Sequence, residues 1–192
     1  MARSRAVVVL SALALTDLAL VGCYGEESLE EVTTAPTADE ATAPPLEPID
    51  VAATDSGDFA AELTDLTNEA RENEGLEPLE LDACATRYAL ERAEAQRGAE
   101  RLTHAPMTEV NQDCEVAVGG AASGENLSGD AYTAHSIVQA WLASASHRAN
   151  LLNPEFTRIG VGCVTDEAFG PADSDHGPVL LCSQVYLGPP AP

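Results

Sequence analysis

Ile159-Gly160-Val161-Gly162-Cys163 alternates large and minimal side chains, and Val179-Leu180-Leu181-Cys182-Ser183-Gln184-Val185-Tyr186-Leu187 follows as a second, more apolar run. A period of two predicts strands. The acidic stretch 165–178, which contains glycine and proline, lets the two pair antiparallel. Several segments upstream follow a different period. Phe59, Leu63, Leu66 and Ala70 recur at helical spacing up to Gly75, a C-cap signal. Asp82 can cap a second helix with Ala85, Tyr88, Ala89 and Ala93 on its buried stripe, closed by Gly98. A third helix spans about 131–143 with Ala134, Ile137, Val138 and Trp141 inward, and Ser146 can cap one more turn that Asn153-Pro154 stops. Between the second and third helices, 102–129 contains four glycines and is expected to be a long functional or disulfide-pinned loop. Residues 76–81, with Pro78, are a short connection. Helices first and strands afterwards give an α+β layered domain.

The chain has 192 residues, room for one domain of common size and a tail. It carries 32 acidic residues against 9 basic ones, all arginine, for a formal charge of -23. No lysine means no Schiff base and no P-loop cation. A surface this acidic repels phosphate backbones, so nucleic acid is excluded as a partner, and cationic groups or divalent ions are favoured.

Residues 1–22 have the form of an export signal: Arg3 and Arg5 precede an apolar stretch that ends in Leu20-Val21-Gly22-Cys23. Small residues before a cysteine resemble the bacterial lipobox, in which the cysteine is lipidated and becomes the new N-terminus. Asp17 inside the run argues against a membrane-spanning helix. Residues 23–57 are rich in Glu, Thr, Ala and Pro with no apolar period, and are expected to form a flexible, self-repelling tether. The folded domain is then 58–192. With Cys23 removed, Cys84, Cys114, Cys163 and Cys182 remain, an even number suited to an oxidising compartment. Four cysteines allow three connectivities. Local geometry favours Cys84–Cys114 and Cys163–Cys182, the latter because both lie on candidate strands close in sequence. Without a Cys-x-x-Cys pair, a structural zinc site is not expected.

Several blocks in fixed order resemble a known family. They are Asn68-Glu69-Ala70-Arg71, Gly75-Leu76-Glu77-Pro78-Leu79, Leu102-Thr103-His104, Gly124-Glu125-Asn126-Leu127, the run from Trp141 through Ser146-His147-Arg148-Ala149-Asn150 to Leu152, Ile159-Gly160-Val161-Gly162, and Gln184-Val185-Tyr186. Together they resemble the CAP superfamily of SCP-like extracellular proteins, in its bacterial branch. The resemblance implies a three-layer α-β-α sandwich with a central antiparallel sheet. It also implies a cleft lined by two histidines and acids, which in some members binds a divalent metal such as zinc. On this sequence the match gives His104 and His147 as the histidines and Glu125 as one acid, with Asn126 beside it. The second acid falls on Ser144. Two imidazoles and one carboxylate would leave a fourth zinc position to water.

Each of these residues also has a plainer role. Glu125 can brace a turn, and Trp141 can serve as core. His135 and His176 match nothing in the pattern and are expected to be solvated. Ser144 or Ser146 with His147 does not make a serine hydrolase, because neighbours on a helix point to different faces and no Gly-x-Ser-x-Gly elbow is present. Oxidised cysteines supply no nucleophile. The expectation is therefore an extracytoplasmic, membrane-anchored binding module whose cleft takes a small apolar ligand, a cell-wall component or a protein. The alternatives are a metal-dependent hydrolase using His104, Glu125 and His147, and a structural spacer with a vestigial cleft.

Overall fold

A computed structural model describes residues 45–117, 123–171 and 177–191. The export signal, Cys23, the tether as far as residue 44, Gly119, Gly120 and His176 lie outside the described residues. In chain order the elements are α1 (Ser56–Asn73), β1 (Glu80–Leu81), α2 (Ala83–Ala95), α3 (Thr108–Asp113), β2 (Ser123–Asp130), α4 (Ala134–Ala143), α5 (Ala145–Leu151), β3 (Arg158–Asp166) and β4 (Val179–Leu187).

The sheet order is β1-β3-β4-β2. β4 is central and every one of its residues is buried, because helices cover both faces. Leu180, Cys182 and Tyr186 join the core made with α1, α4 and α5. Val185 and Leu187 pack against α2 and α3, and Val179 and Leu181 against Ala93 of α2. This is the expected three-layer α-β-α sandwich, with one correction. β2, β3 and β4 are antiparallel, but β1 runs parallel to β3 through Glu80↔Arg158 and Leu81↔Ile159, so the sheet is mixed. The stretch 76–81, expected to be a bare connection, holds this two-residue strand before Asp82 caps α2 and turns the chain away.

Helix ends follow local chemistry. The Asp55 carboxylate accepts from Gly57 N and Asp58 N, which starts α1 two residues before the sequence boundary at 58. Gly75 and Gly98 take positive φ beyond α1 and α2, as their C-terminal signals predict. α5 begins at Ala145 with Ser144 as N-cap, so Ser146 lies inside the first turn instead of capping it.

Two further expectations are corrected. Residues 45–57 are not tether: Val51 is buried with the α1/α4 core, Ile49 N donates to Ala131 O, and Glu47 N donates to the Ser136 hydroxyl. Their few apolar side chains dock individually, which leaves no period to read. The segment 102–129 is not one loop either, since it contains α3 and the edge strand β2. β2 eluded the sequence because its inward Glu125 and Asn126 are polar and find polar partners.

Both disulfides join the expected pairs. Cys84–Cys114 ties the start of α2 to the end of α3, and Cys163–Cys182 bridges directly opposed residues of β3 and β4.

Gly160 and Gly162 let α2 lie against the sheet. A Cβ at Gly160 would meet Thr86 N at 2.0 Å, and one at Gly162 would meet Leu90 N at 2.4 Å. Both obstacles are backbone and cannot rotate away. Gly162→Ala is expected to cost at least about 1–3 kcal/mol. Gly75→Ala meets no atom within 4 Å and strains only a φ of +73°, so it costs roughly 1–2 kcal/mol. Urea unfolding of the two variants checks the ranking, which fails if Gly162→Ala is the milder change.

Candidate functional site

β2 lies along β4 with Glu125 opposite Val185 and Asn126 opposite Gln184, so successive side chains point to opposite faces. Glu125 turns toward α2. Its side chain is only 4% exposed; Oε1 accepts from Arg92 Nη1 at 3.2 Å and from Ser183 Oγ at 2.9 Å. Oε2 meets His104 Nδ1 at 2.7 Å. A buried carboxylate beside a guanidinium is a paired charge, and removing one partner of such a pair costs about 3–5 kcal/mol.

Arg92 does more than neutralise Glu125. It also donates to Ala105 O at 3.1 Å and Pro106 O at 2.8 Å. One helical turn further along α2, Gln96 donates to Thr103 O and accepts from Thr103 N. α2 therefore holds the loop that presents His104 from both sides. With Nδ1 against the carboxylate, the imidazole of His104 is fixed in orientation and its Nε2 is directed away from Glu125, on a side chain that is 58% exposed.

Asn126 points to the other face and fastens α5. Its Nδ2 donates to His147 O at 3.2 Å and to Tyr186 OH at 3.3 Å, while its Oδ1 accepts from Asn150 Nδ2 at 3.0 Å. Asn150 Nδ2 also donates to Glu125 O at 3.0 Å. Gly124 makes this possible, since a Cβ there would sit 2.6 Å from Asn150 Oδ1. The three residues of Gly-Glu-Asn thus act separately. Gly124 permits the close approach, Glu125 clamps the loop and Asn126 clamps the helix.

His147 is half-buried on α5, its ring 6.4 Å from that of Trp141. Burial, and secondarily the charge of His104, lowers its pKa below the usual imidazole value. His147 lines a cleft of 290 Å³ with Leu127, Asp130, Tyr132, Trp141 and Ser144. The Trp141 indole N–H is anchored on Leu127 O at 3.2 Å. A second recess of 710 Å³ shares Leu102, Asp130 and Tyr132 with this cleft. Burial raises the Asp130 carboxyl above the usual carboxylate range. Ser144 lines the cleft and lies 3.4 Å from the Ser146 hydroxyl. His135 is exposed on α4.

The donor set can be compared with what a metal needs. The two imidazoles suit a divalent ion such as zinc, but the Glu125 carboxylate is committed to Arg92, Ser183 and His104, and Ser144 stands where a second acid would be. Among the described residues, His104, Glu125 and His147 do not bring one ligand atom each within 4.8 Å of one another. The group that does is Asp82, Cys84 and Cys114, whose sulfurs are spent on each other. Three protein ligands for a resident catalytic zinc are not assembled, and Glu125 fits as the group that orients His104.

Arg92, Gln96, Ser183 and Asn150 were not singled out from sequence. Arg92 and Gln96 sit in the charged run Glu91-Arg92-Ala93-Glu94-Ala95-Gln96-Arg97. Only their spacing of one helical turn sets them apart from solvated neighbours.

A disulfide-stapled α-β-α sandwich in which a Gly-Glu-Asn edge strand holds a histidine loop on one face and a histidine helix on the other defines a cysteine-rich, SCP-type domain. Residues 64–182 match the model of the cysteine-rich secretory protein family, CAP, and the chain belongs to that family. It is 30% identical over 109 residues to the uncharacterized protein YkwD of Bacillus subtilis. That match covers 55% of this chain and 42% of the relative. An extracellular SCP-domain protein of Bacillus anthracis shares the fold at a TM-score of 0.53 and 24% identity, covering 70% of this chain and 41% of that one. An outer surface protein of Borrelia burgdorferi does so at 0.55 and 20%, covering 71% and 97%.

The His147 shift has a sign that can be tested. A base with a depressed folded-state pKa favours its neutral form, so its contribution to stability is present above about pH 6.5, the unfolded value, and is lost as pH falls through the folded one. NMR titration should place the His147 ring below the usual value. His104→Ala should raise it part of the way, because repulsion goes while burial stays. A His147 value at or above 6.5 would contradict the geometry.

Proposed function

We propose that this chain is an exported, membrane-tethered CAP domain that binds a ligand in the cleft lined by His147, beside the loop that presents His104, and performs no hydrolysis there. The observation that carries this reading is the state of Glu125, whose carboxylate is buried, ion-paired to Arg92 and bonded to both Ser183 and His104. A carboxylate held in this way is a poor base for water. What it leaves is a rigid, half-exposed imidazole beside a cleft walled by Leu127, Tyr132 and Trp141, a mixture that suits an apolar ligand with one polar group. The candidate ligands are a small lipid, a cell-wall fragment and a protein segment.

Extracellular placement is supported by the two disulfides, by the signal-like residues 1–22 and by the surface and extracellular relatives. Among the described residues no helix is long and apolar enough to cross a membrane. Attachment through lipidated Cys23 would place the domain outside the membrane at the end of the acidic tether.

Trp141 is the one tryptophan of the chain and lines the cleft, so its emission reports occupancy. The purified protein is titrated with oleate, with muramyl peptide fragments and with zinc chloride. A saturable change in emission with oleate or wall fragment, abolished by filling the cleft through Ala140→Phe, is expected. Silence across the panel overturns the binding reading. Cleavage of a wall fragment that is lost in the His104→Ala/His147→Ala pair would replace it with hydrolysis, as would stoichiometric zinc uptake with the same dependence.

The anchor has its own test. Wild type expressed in a bacterial host with alkyne-palmitate should be labelled and sediment with membranes, whereas Cys23→Ser should be unlabelled. Equal labelling of both forms would dismiss the lipobox assignment.

A further inference from the structure

At the sheet edge opposite β2, the two helical layers leave a groove of 640 Å³. Its α1 wall is low because Gly57, Ala60, Ala61 and Thr64 are small, and its α2 wall carries Leu90. Leu81 stands at one end. Leu81 and Leu90 are 71% and 46% exposed, high values for big apolar side chains. Val161, Gly162 and Cys163 of β3 form the floor.

That floor is a strand edge. β1 accompanies β3 only at Arg158 and Ile159, and Ile159 O, which faces β1, accepts from Asp82 N at 2.8 Å. With a period of two, Val161 and Cys163 present their N–H and C=O groups in the same direction, into the groove, with no strand beside them among the described residues. At the far end, Thr165 O is taken by Arg97. The open interval from Val161 to Thr165 accommodates about four residues of extended chain at ~3.3 Å each. Backbone amides inside an apolar groove call for hydrogen-bonding partners spaced like themselves, which an acyl chain does not have.

Charge narrows the occupant. The one basic residue of α1, Arg71, is 1% exposed and donates to the carbonyls of Glu77, Leu151, Asn153 and Phe156. The exposed surface of α1 therefore carries carboxylates alone, and Asp58, Glu62, Asp65 and Glu69 form a stripe at helical spacing, with Asp65 itself in the groove wall.

We propose that this groove receives an extended segment of a partner protein, apolar at alternate positions and carrying Lys or Arg, which adds a strand to the edge of β3 where β1 leaves off. This site is on the opposite sheet edge from the His147 cleft and stands or falls independently of it.

The test is a selection of displayed random octapeptides on the purified full-length chain. Enriched peptides should alternate apolar and basic residues and slow hydrogen exchange at the Val161 and Cys163 amides. N-methylation of alternate peptide amides should abolish binding, because it removes the ladder and leaves the side chains. Ala61→Phe, which fills the groove from an exposed position, should weaken binding about tenfold or more. Asp65→Lys should weaken it several-fold, with the difference shrinking at high salt. Lack of enrichment, protection outside β3, or indifference to N-methylation overturns the proposal. Displacement of the selected peptide by oleate at lower concentration than by free peptide would assign the groove to acyl chains instead.

Discussion

The ion pair between Arg92 and Glu125 is the constraint around which the site is arranged. It crosses from α2 to the edge strand β2, so it forms only if α2 lies very close to the sheet. Gly160 and Gly162 secure that proximity by offering bare backbone beneath Thr86 and Leu90. The same guanidinium holds Ala105 O and Pro106 O, and the same carboxylate holds His104. Helix, loop and strand therefore share one buried charge balance. A change to any of them disturbs the orientation of the imidazole.

The opposite face serves the same purpose with hydrogen bonds to neutral groups. Asn126 and Asn150 knit β2 to α5, and Arg71 gathers the carbonyls of Leu151, Asn153 and Phe156 between α5 and β3, and of Glu77 after α1, into one cationic hub. Burial lowers the Arg71 pKa, and these carbonyls are what it receives in place of water. A chain rich in small residues thus obtains rigidity at its cleft from a few long polar side chains.

Legibility in the sequence followed apolar pattern. β3, β4, α1, α2 and α4 announce themselves through periods of two and 3.6, and the Cys163–Cys182 bridge follows from where β3 and β4 place their cysteines. β1 is too short to have a period, and the docking of Ile49 and Val51 depends on a surface formed by distant residues. β2 is the instructive case. Its Glu125 and Asn126 occupy inward positions that a hydrophobicity pattern assigns to solvent, because Arg92, Ser183, Tyr186 and Asn150 compensate them only in three dimensions. The grouping of His104, Glu125 and His147 came from resemblance alone. The fold joins His104 to Glu125 directly, and His147 through its backbone carbonyl to Asn126. Glu125 proved to be an orienting group instead of a free acid.

The position of β4 bears on the order in which the domain can be completed. It is the last strand in chain order yet lies between β3 and β2, with helices on both faces. Until Leu187 has been synthesised, β2 and β3 have no common neighbour and neither helical layer has a finished sheet to close upon. Among the described residues, closure of the sheet and burial of both helical layers therefore depend on β4. The same strand brings Cys182 opposite Cys163, so the disulfide between them secures the element on which both layers depend.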